Sequence, residues 1–124
     1  SGRRPTPGTV AYGAAKAGVD HLARVAQAEL DGRGSAVRVH VVYPGVVDSP
    51  MQETIRSFSD DEFPSVATFR RMYEKGRLRP AEQPAALIRW LLTPAAADLR
   101  GQVADIDDPD LRARVSADLG IAGF

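Results

Sequence analysis

The sequence predicts an α/β protein built on a parallel sheet, and two stretches carry that expectation. Residues 11–30 place apolar side chains at three- and four-residue steps, the period of a helix with one face on a core. Residues 36–43 hold four valines in eight positions, a nearly continuous β-branched run of the kind found where a strand is covered on both faces. A helix feeding directly into such a strand is the repeating unit of parallel α/β folds.

The elements follow in order. Residues 1–10 carry two prolines and two glycines and read as loop. The helix over 11–30 presents Ala15, Val19, Leu22, Ala26 and Leu30 as its apolar face, with Asp20, Arg24, Gln27 and Asp31 opposite. Gly32 and Gly34 end it, because glycine accepts the left-handed conformation that closes helices. Pro44-Gly45 stops the valine-rich strand, since proline cannot donate to a ladder. Residues 46–78 are less regular, with a short helix expected from Val66 to Lys75, capped by Ser65 and closed by Gly76. Phe58, Phe63, Phe69, Met72 and Tyr73 fall in this stretch and read equally well as a lid over a substrate or as core under a long loop. Pro80 to Gln83 opens a further helix with Pro84, Leu87, Ile88 and Leu91 on its apolar face, ended by Thr93-Pro94. Residues 101–106 suit a short strand, and Asp108-Pro109 starts a last helix by an aspartate cap and a first-turn proline, with Gly120 at its end.

Composition narrows the function. The chain has 124 residues, enough for one modest domain. Sixteen basic residues balance sixteen acidic ones, so no net charge argues for nucleic acid or an anionic membrane as partner. Cysteine is absent, which removes disulfides and thiolate chemistry. His21 and His40 lack paired metal-ligand spacing and read as structural, and the acidic run 105–110 reads as cap and solvated turn rather than metal site. No apolar run approaches the length of a membrane span. Ser1-Gly2-Arg3-Arg4-Pro5 lacks the apolar core of a signal peptide, and Arg3-Arg4 reads as solvated. The setting expected is cytoplasmic. The chain opens without methionine, on a turn-rich stretch that runs into a strong helix, which predicts a fragment or processed chain.

Tyr12 and Lys16 lie one helical turn apart and so share a face. A tyrosine with its ordinary pKa of about 10 becomes an acid-base group near neutrality only when a neighbouring cation favours the phenolate. Alone, such a pair is common on solvated helices. Its setting is more specific. Ala11-Tyr12-Gly13-Ala14-Ala15-Lys16-Ala17-Gly18 resembles the active-site helix of the short-chain dehydrogenase/reductase family. The strand Val37 to Val42 is similar to that family's next strand, although asparagine is more usual where His40 stands. It leads into Pro44-Gly45-Val46-Val47-Asp48-Ser49-Pro50-Met51, which resembles the family's Pro-Gly loop. Arg77 to Glu82, the apolar helix after it and Gly101-Gln102 continue the resemblance over nearly the whole chain.

The resemblance implies a fold and a set of roles. Residues 1–124 would form the C-terminal half of a single doubly wound, Rossmann-type domain, incomplete in this chain. Tyr12 would be the general acid/base between a carbonyl and an alcohol, and Lys16 would lower its pKa and hydrogen-bond the nicotinamide ribose. Pro44, Gly45 and Val47 would border the nicotinamide of NAD or NADP, with the Val47 backbone on its carboxamide, and Ser49 would stand where the family usually has threonine. The family's catalytic serine falls just before Ser1, and its relay asparagine and glycine-rich dinucleotide turn lie further upstream. After Gly101-Gln102 the tail also departs from the family pattern.

Two functions follow. One is an NAD(P)-dependent oxidoreductase acting on a small carbonyl or alcohol, without nucleic acid or membrane as partner, and a homo-oligomer as its family commonly is. The other is a catalytically inactive fragment or remnant, acting only as a structural or self-associating piece. Two strands cannot cover a parallel sheet, so exposed apolar helix face and strand edge are expected of the chain by itself.

Overall fold

A computed structural model describes residues 6–122 and 124; Arg3-Arg4 lies outside the described residues. The elements are α1 (Val10–Gly32), β1 (Val41–Tyr43), α2 (Pro50–Ser57), α3 (Val66–Glu74), α4 (Glu82–Leu91), a 3-10 turn (Pro94–Leu99), β2 (Val103–Asp105) and α5 (Pro109–Leu119). β1 and β2 pair in parallel, Val41 opposite Val103 and Tyr43 opposite Asp105. This is the α/β, parallel arrangement the sequence predicts. The chain divides into two compact units, Ser1–Ala17 with Val46–Ala81 and Gly18–Gly45 with Glu82–Phe124.

The second unit holds the larger core. Leu87, Trp90 and Leu91 of α4 meet Ala96, Ala104, Ile106, Leu111, Val115 and Phe124. Trp90 takes the place in this core that periodicity assigned to Ile88, which is exposed. The reason is polar as well as apolar. The indole N–H donates to Asp118 Oδ2 at 2.8 Å, and the Arg114 guanidinium lies 5.1 Å over the indole ring. Arg114 in turn donates to Asp98 and to the Ala95 carbonyl, both at 2.6 Å. α5 starts as expected, with Asp108 Oδ1 accepting from the Asp110 N–H at 2.9 Å, and closes at Gly120 in the left-handed region.

Two expectations change. The strand is three residues long rather than eight, because a side chain does the pairing ahead of it. Gln27 Oε1 accepts from the Val39 N–H at 2.8 Å, and Gln27 Nε2 donates to the Val37 carbonyl at 3.3 Å. The Gly101 N–H donates to the Val39 carbonyl at 2.7 Å and the Val41 N–H to the Gln102 carbonyl at 3.3 Å. The Gln27 amide thus extends the β2 side of the ladder ahead of the point where β2 begins. Gly101, at φ +71°, fits only as glycine: a Cβ there would stand 3.0 Å from Gln27 Cβ and Cγ.

The second change concerns α1. The face that it buries carries Asp20, Ala23 and Gln27, while Val19, Leu22 and Val25 remain 48%, 66% and 44% exposed. Asp20 and Gln27 are buried because each has specific bonding within the unit. Gln27 serves the strand, and Asp20 Oδ2 accepts from the Tyr43 hydroxyl.

The first unit is small. Its helices α2 and α3 meet around Val66, which is fully buried, and the Val46–Asp48 segment is bridged to Arg79. α2 falls where the sequence reads as irregular; only its cap residue Ser49 and first-turn Pro50 signal it. Ser65 precedes α3 as expected but makes no side-chain cap bond.

Candidate active site

The helix α1 begins from a fixed lead-in. Thr9 Oγ1 donates to the Thr6 carbonyl at 2.7 Å, and the Gly13 N–H donates to the Thr9 carbonyl at 2.7 Å. Ser65 Oγ, free of capping duty, donates to the Pro7 carbonyl at 3.0 Å. Gly8, at φ +87°, lies so close to Phe63 that a Cβ would stand 2.9 Å from its ring. These contacts tie the entry to α1 against the start of α3.

In the first turn of α1, Tyr12 is 45% exposed, and the Lys16 ammonium lies 5.5 Å from the centre of its ring. The pair that the sequence places on one face does meet there. Small neighbours, Gly13, Ala14, Ala15 and Ala17, leave the surrounding surface low.

The second group of expected site residues lies on the segment that opens α2. The Asp48 N–H donates to the Arg79 carbonyl at 2.9 Å, and the Arg79 N–H donates to the Val46 carbonyl at 2.8 Å. A parallel bridge of this kind engages the peptides on either side of Val47 and turns its own N–H and C=O the other way. Neither has a hydrogen bond among the described residues, so both are available to an amide. Ser49 is the N-cap of α2 with extended backbone, but its side chain makes no cap bond. Its carbonyl accepts from Gln52 at 2.8 Å, leaving the hydroxyl uncommitted. An amide-accepting backbone followed by an unused hydroxyl is what a nicotinamide carboxamide and a neighbouring polar oxygen require, and the residues fit such a cofactor.

Pro44 and Gly45 end β1 in the other unit, Gly45 at φ +71°. Tyr43, just before them, is held by the Ile106 N–H on its carbonyl at 3.0 Å and by Asp20 on its hydroxyl. No hydrogen bond or ring contact joins Tyr12 or Lys16 to Val47 or Ser49 among the described residues.

The remaining candidates sort themselves out. Phe63 and Phe69 stack at 5.7 Å with a 36° tilt and are half-buried, whereas Phe58 and Tyr73 are exposed, so the aromatic stretch divides between core and surface. His21 is exposed on α1, and His40 lies half-buried ahead of β1. Burial, and then the Arg38 charge, lower the His40 pKa below the ordinary imidazole value, partly opposed by the Leu99 backbone. Sequence reasoning overlooked Gln52 and Arg56, whose buried polar atoms lack partners; nothing in their spacing marks them.

A family model for short chain dehydrogenases matches residues 1–60. The chain is thus similar to the short-chain dehydrogenase/reductase family. It is 32% identical over 106 residues to a benzil reductase ((S)-benzoin forming) of Bacillus subtilis, a match covering 86% of this chain and 43% of that protein. It is also 32% identical over 101 residues to a 3-oxoacyl-acyl-carrier-protein reductase of Thermotoga maritima, covering 82% of this chain and 38% of the other. The crystal structure of a short-chain dehydrogenase/reductase from Saccharomyces cerevisiae superposes with a TM-score of 0.74 at 26% identity, over 90% of this chain and 44% of that one. The chain therefore spans less than half the length of each relative.

Proposed function

We propose that residues 1–124 form the C-terminal half of a single Rossmann-type domain in an NAD(P)-dependent oxidoreductase that interconverts a carbonyl and an alcohol. The observation that carries this reading is the Lys16 ammonium beside the exposed Tyr12 ring on a helix with small neighbours. The dinucleotide, when bound, supplies or accepts the hydride. In reduction, the Tyr12 hydroxyl donates its proton to the substrate oxygen as the carbonyl carbon gains the hydride. Lys16 offsets the negative charge that gathers on the Tyr12 oxygen as the proton leaves, and offers N–H donors to the nicotinamide ribose. The Val47 N–H and C=O would hold the carboxamide, and Ser49 would give its unused hydroxyl to the amide or phosphates.

Benzil and a 3-oxoacyl thioester, taken from the relatives' names, are the first substrates to try. In the protein carrying this chain, Tyr12→Phe should lower carbonyl-dependent NAD(P)H oxidation by at least about a hundredfold, within the usual range for a general acid. The melting temperature should not change. Activity within about threefold of the parent would sink the reading.

The exposed Val19, Leu22 and Val25 favour a companion reading, in which α1 pairs with a second copy and the protein is a homo-oligomer. In a chain without a dinucleotide site, that association would be its only function.

A further inference from the structure

Gln52 Oε1 and Arg56 Nη1 are buried without hydrogen-bond partners. They stand four residues apart on α2 and therefore share a face. Buried polar groups are nearly always paired, so two adjacent orphans, one an acceptor and one a donor, need an account. Gln52 is 7% exposed, and its backbone N–H bonds the Ser49 carbonyl.

The neighbouring arginine shows what a structural role looks like. Arg70 Nη2 donates to the Phe58 carbonyl at 2.6 Å, Nη1 meets Asp60 at 3.3 Å, and Nε donates to the Arg56 carbonyl at 3.3 Å. Arg56 has no such set. Its guanidinium carbon lies 4.0 Å over the centre of the Tyr73 ring, which is 53% exposed, and no ion pair engages it among the described residues. A guanidinium keeps its charge at any physiological pH and presents a planar fork matched to a carboxylate. The aromatic ring attracts that fork without neutralising its charge.

We propose that Arg56, held against the Tyr73 ring, binds an anionic acceptor group on the substrate, with Gln52 accepting from an O–H or N–H beside it. The preferred substrates are then carbonyl compounds that carry a carboxylate away from the reacting carbon. The helix gives the span: Ser49 to Arg56 is about 10 Å along the axis at ~1.5 Å per residue. This inference rests on the oxidoreductase reading for the words "substrate" and "reacting", but the anion site stands on its own geometry.

The test separates the two. The chain, labelled with 15N at arginine, is titrated with 4-acetylbenzoate and, separately, with its methyl ester. The acid should shift the Arg56 Nε–H resonance saturably, and the ester should leave it in place. Arg56→Gln should weaken acid binding at least tenfold, and Arg56→Lys should recover part of the loss. Matching thermal melts for the variants exclude misfolding. Equal shifts from acid and ester, unchanged acid binding in Arg56→Gln, or no shift at millimolar acid would each overturn the proposal. Acid binding that survives while Tyr12→Phe leaves turnover intact would instead remove the oxidoreductase reading and keep the anion site.

Discussion

Ser49 and His40 show how a single residue can be read for its purpose. A serine N-cap normally contributes about 1 kcal/mol through its hydroxyl. Ser49 makes no such bond. Ser49→Ala should therefore leave the thermal midpoint within about 1 °C while weakening dinucleotide binding several-fold, measured by titration of the whole protein with NADH and NADPH. His40 acts in the opposite sense, on stability. Its folded-state pKa is lowered, burial being the largest cause. The unfolded chain therefore binds the proton more readily, and stability is lost as pH falls from about 6.5 through the lower folded value. Melts between pH 8 and pH 5 should show this loss, and His40→Gln should flatten it; an unchanged slope would mean that His40 is not its source. At this scale the sequence singled out residues that belong to a motif, as Tyr12, Lys16, Val47 and Ser49 do by resemblance. Gln52 and Arg56 were invisible because an unpaired atom exists only once the surrounding partners are placed.

Among the elements, the legible ones were those whose signal is local. Asp108-Pro109 and Gly120 bound α5 in the structure as their chemistry requires. The valine run was harder, because chain propensity says nothing about where partners stop, and Gln27 supplies the bonds ahead of β1. That arrangement makes a sharp prediction. Gln27→Glu keeps an acceptor for the Val39 N–H but sets a carboxylate against the Val37 carbonyl, and should cost about 2 kcal/mol in denaturant unfolding. Acidification that protonates the new carboxyl should return part of it. Gly101→Ala, which meets both the left-handed backbone and the Gln27 side chain, should cost at least about 1 kcal/mol. The α1 periodicity picked out a genuine apolar stripe, exposed as expected of the chain by itself, but gave no sign that the face called polar would hold buried residues. Gln27 is buried with both ends of its amide bonded, and Asp20 with Oδ2 bonded to Tyr43, and hydrophobicity alone does not register such bonds.

For the molecule as a whole, that exposed stripe has a solution consequence. Leu22→Glu together with Val25→Glu should shift sedimentation toward the monomer and leave the core melt intact, since neither side chain is buried. An unaltered sedimentation profile would assign association to another surface. The family and parallel topology were both legible from the order of helix, strand and Pro-Gly loop. The division into two compact units was not, because α1 runs through the dividing point as one continuous helix. The Gln27 amide has one more effect. A short strand with open backbone groups beyond its end invites a foreign chain to dock and propagate a cross-β stack. Here the groups of Val37 and Val39 that face along β2 are already taken, by a side chain whose helix anchor forbids register slip. The glutamine therefore leaves neither the Val37 carbonyl nor the Val39 N–H open to another chain on that side of the sheet.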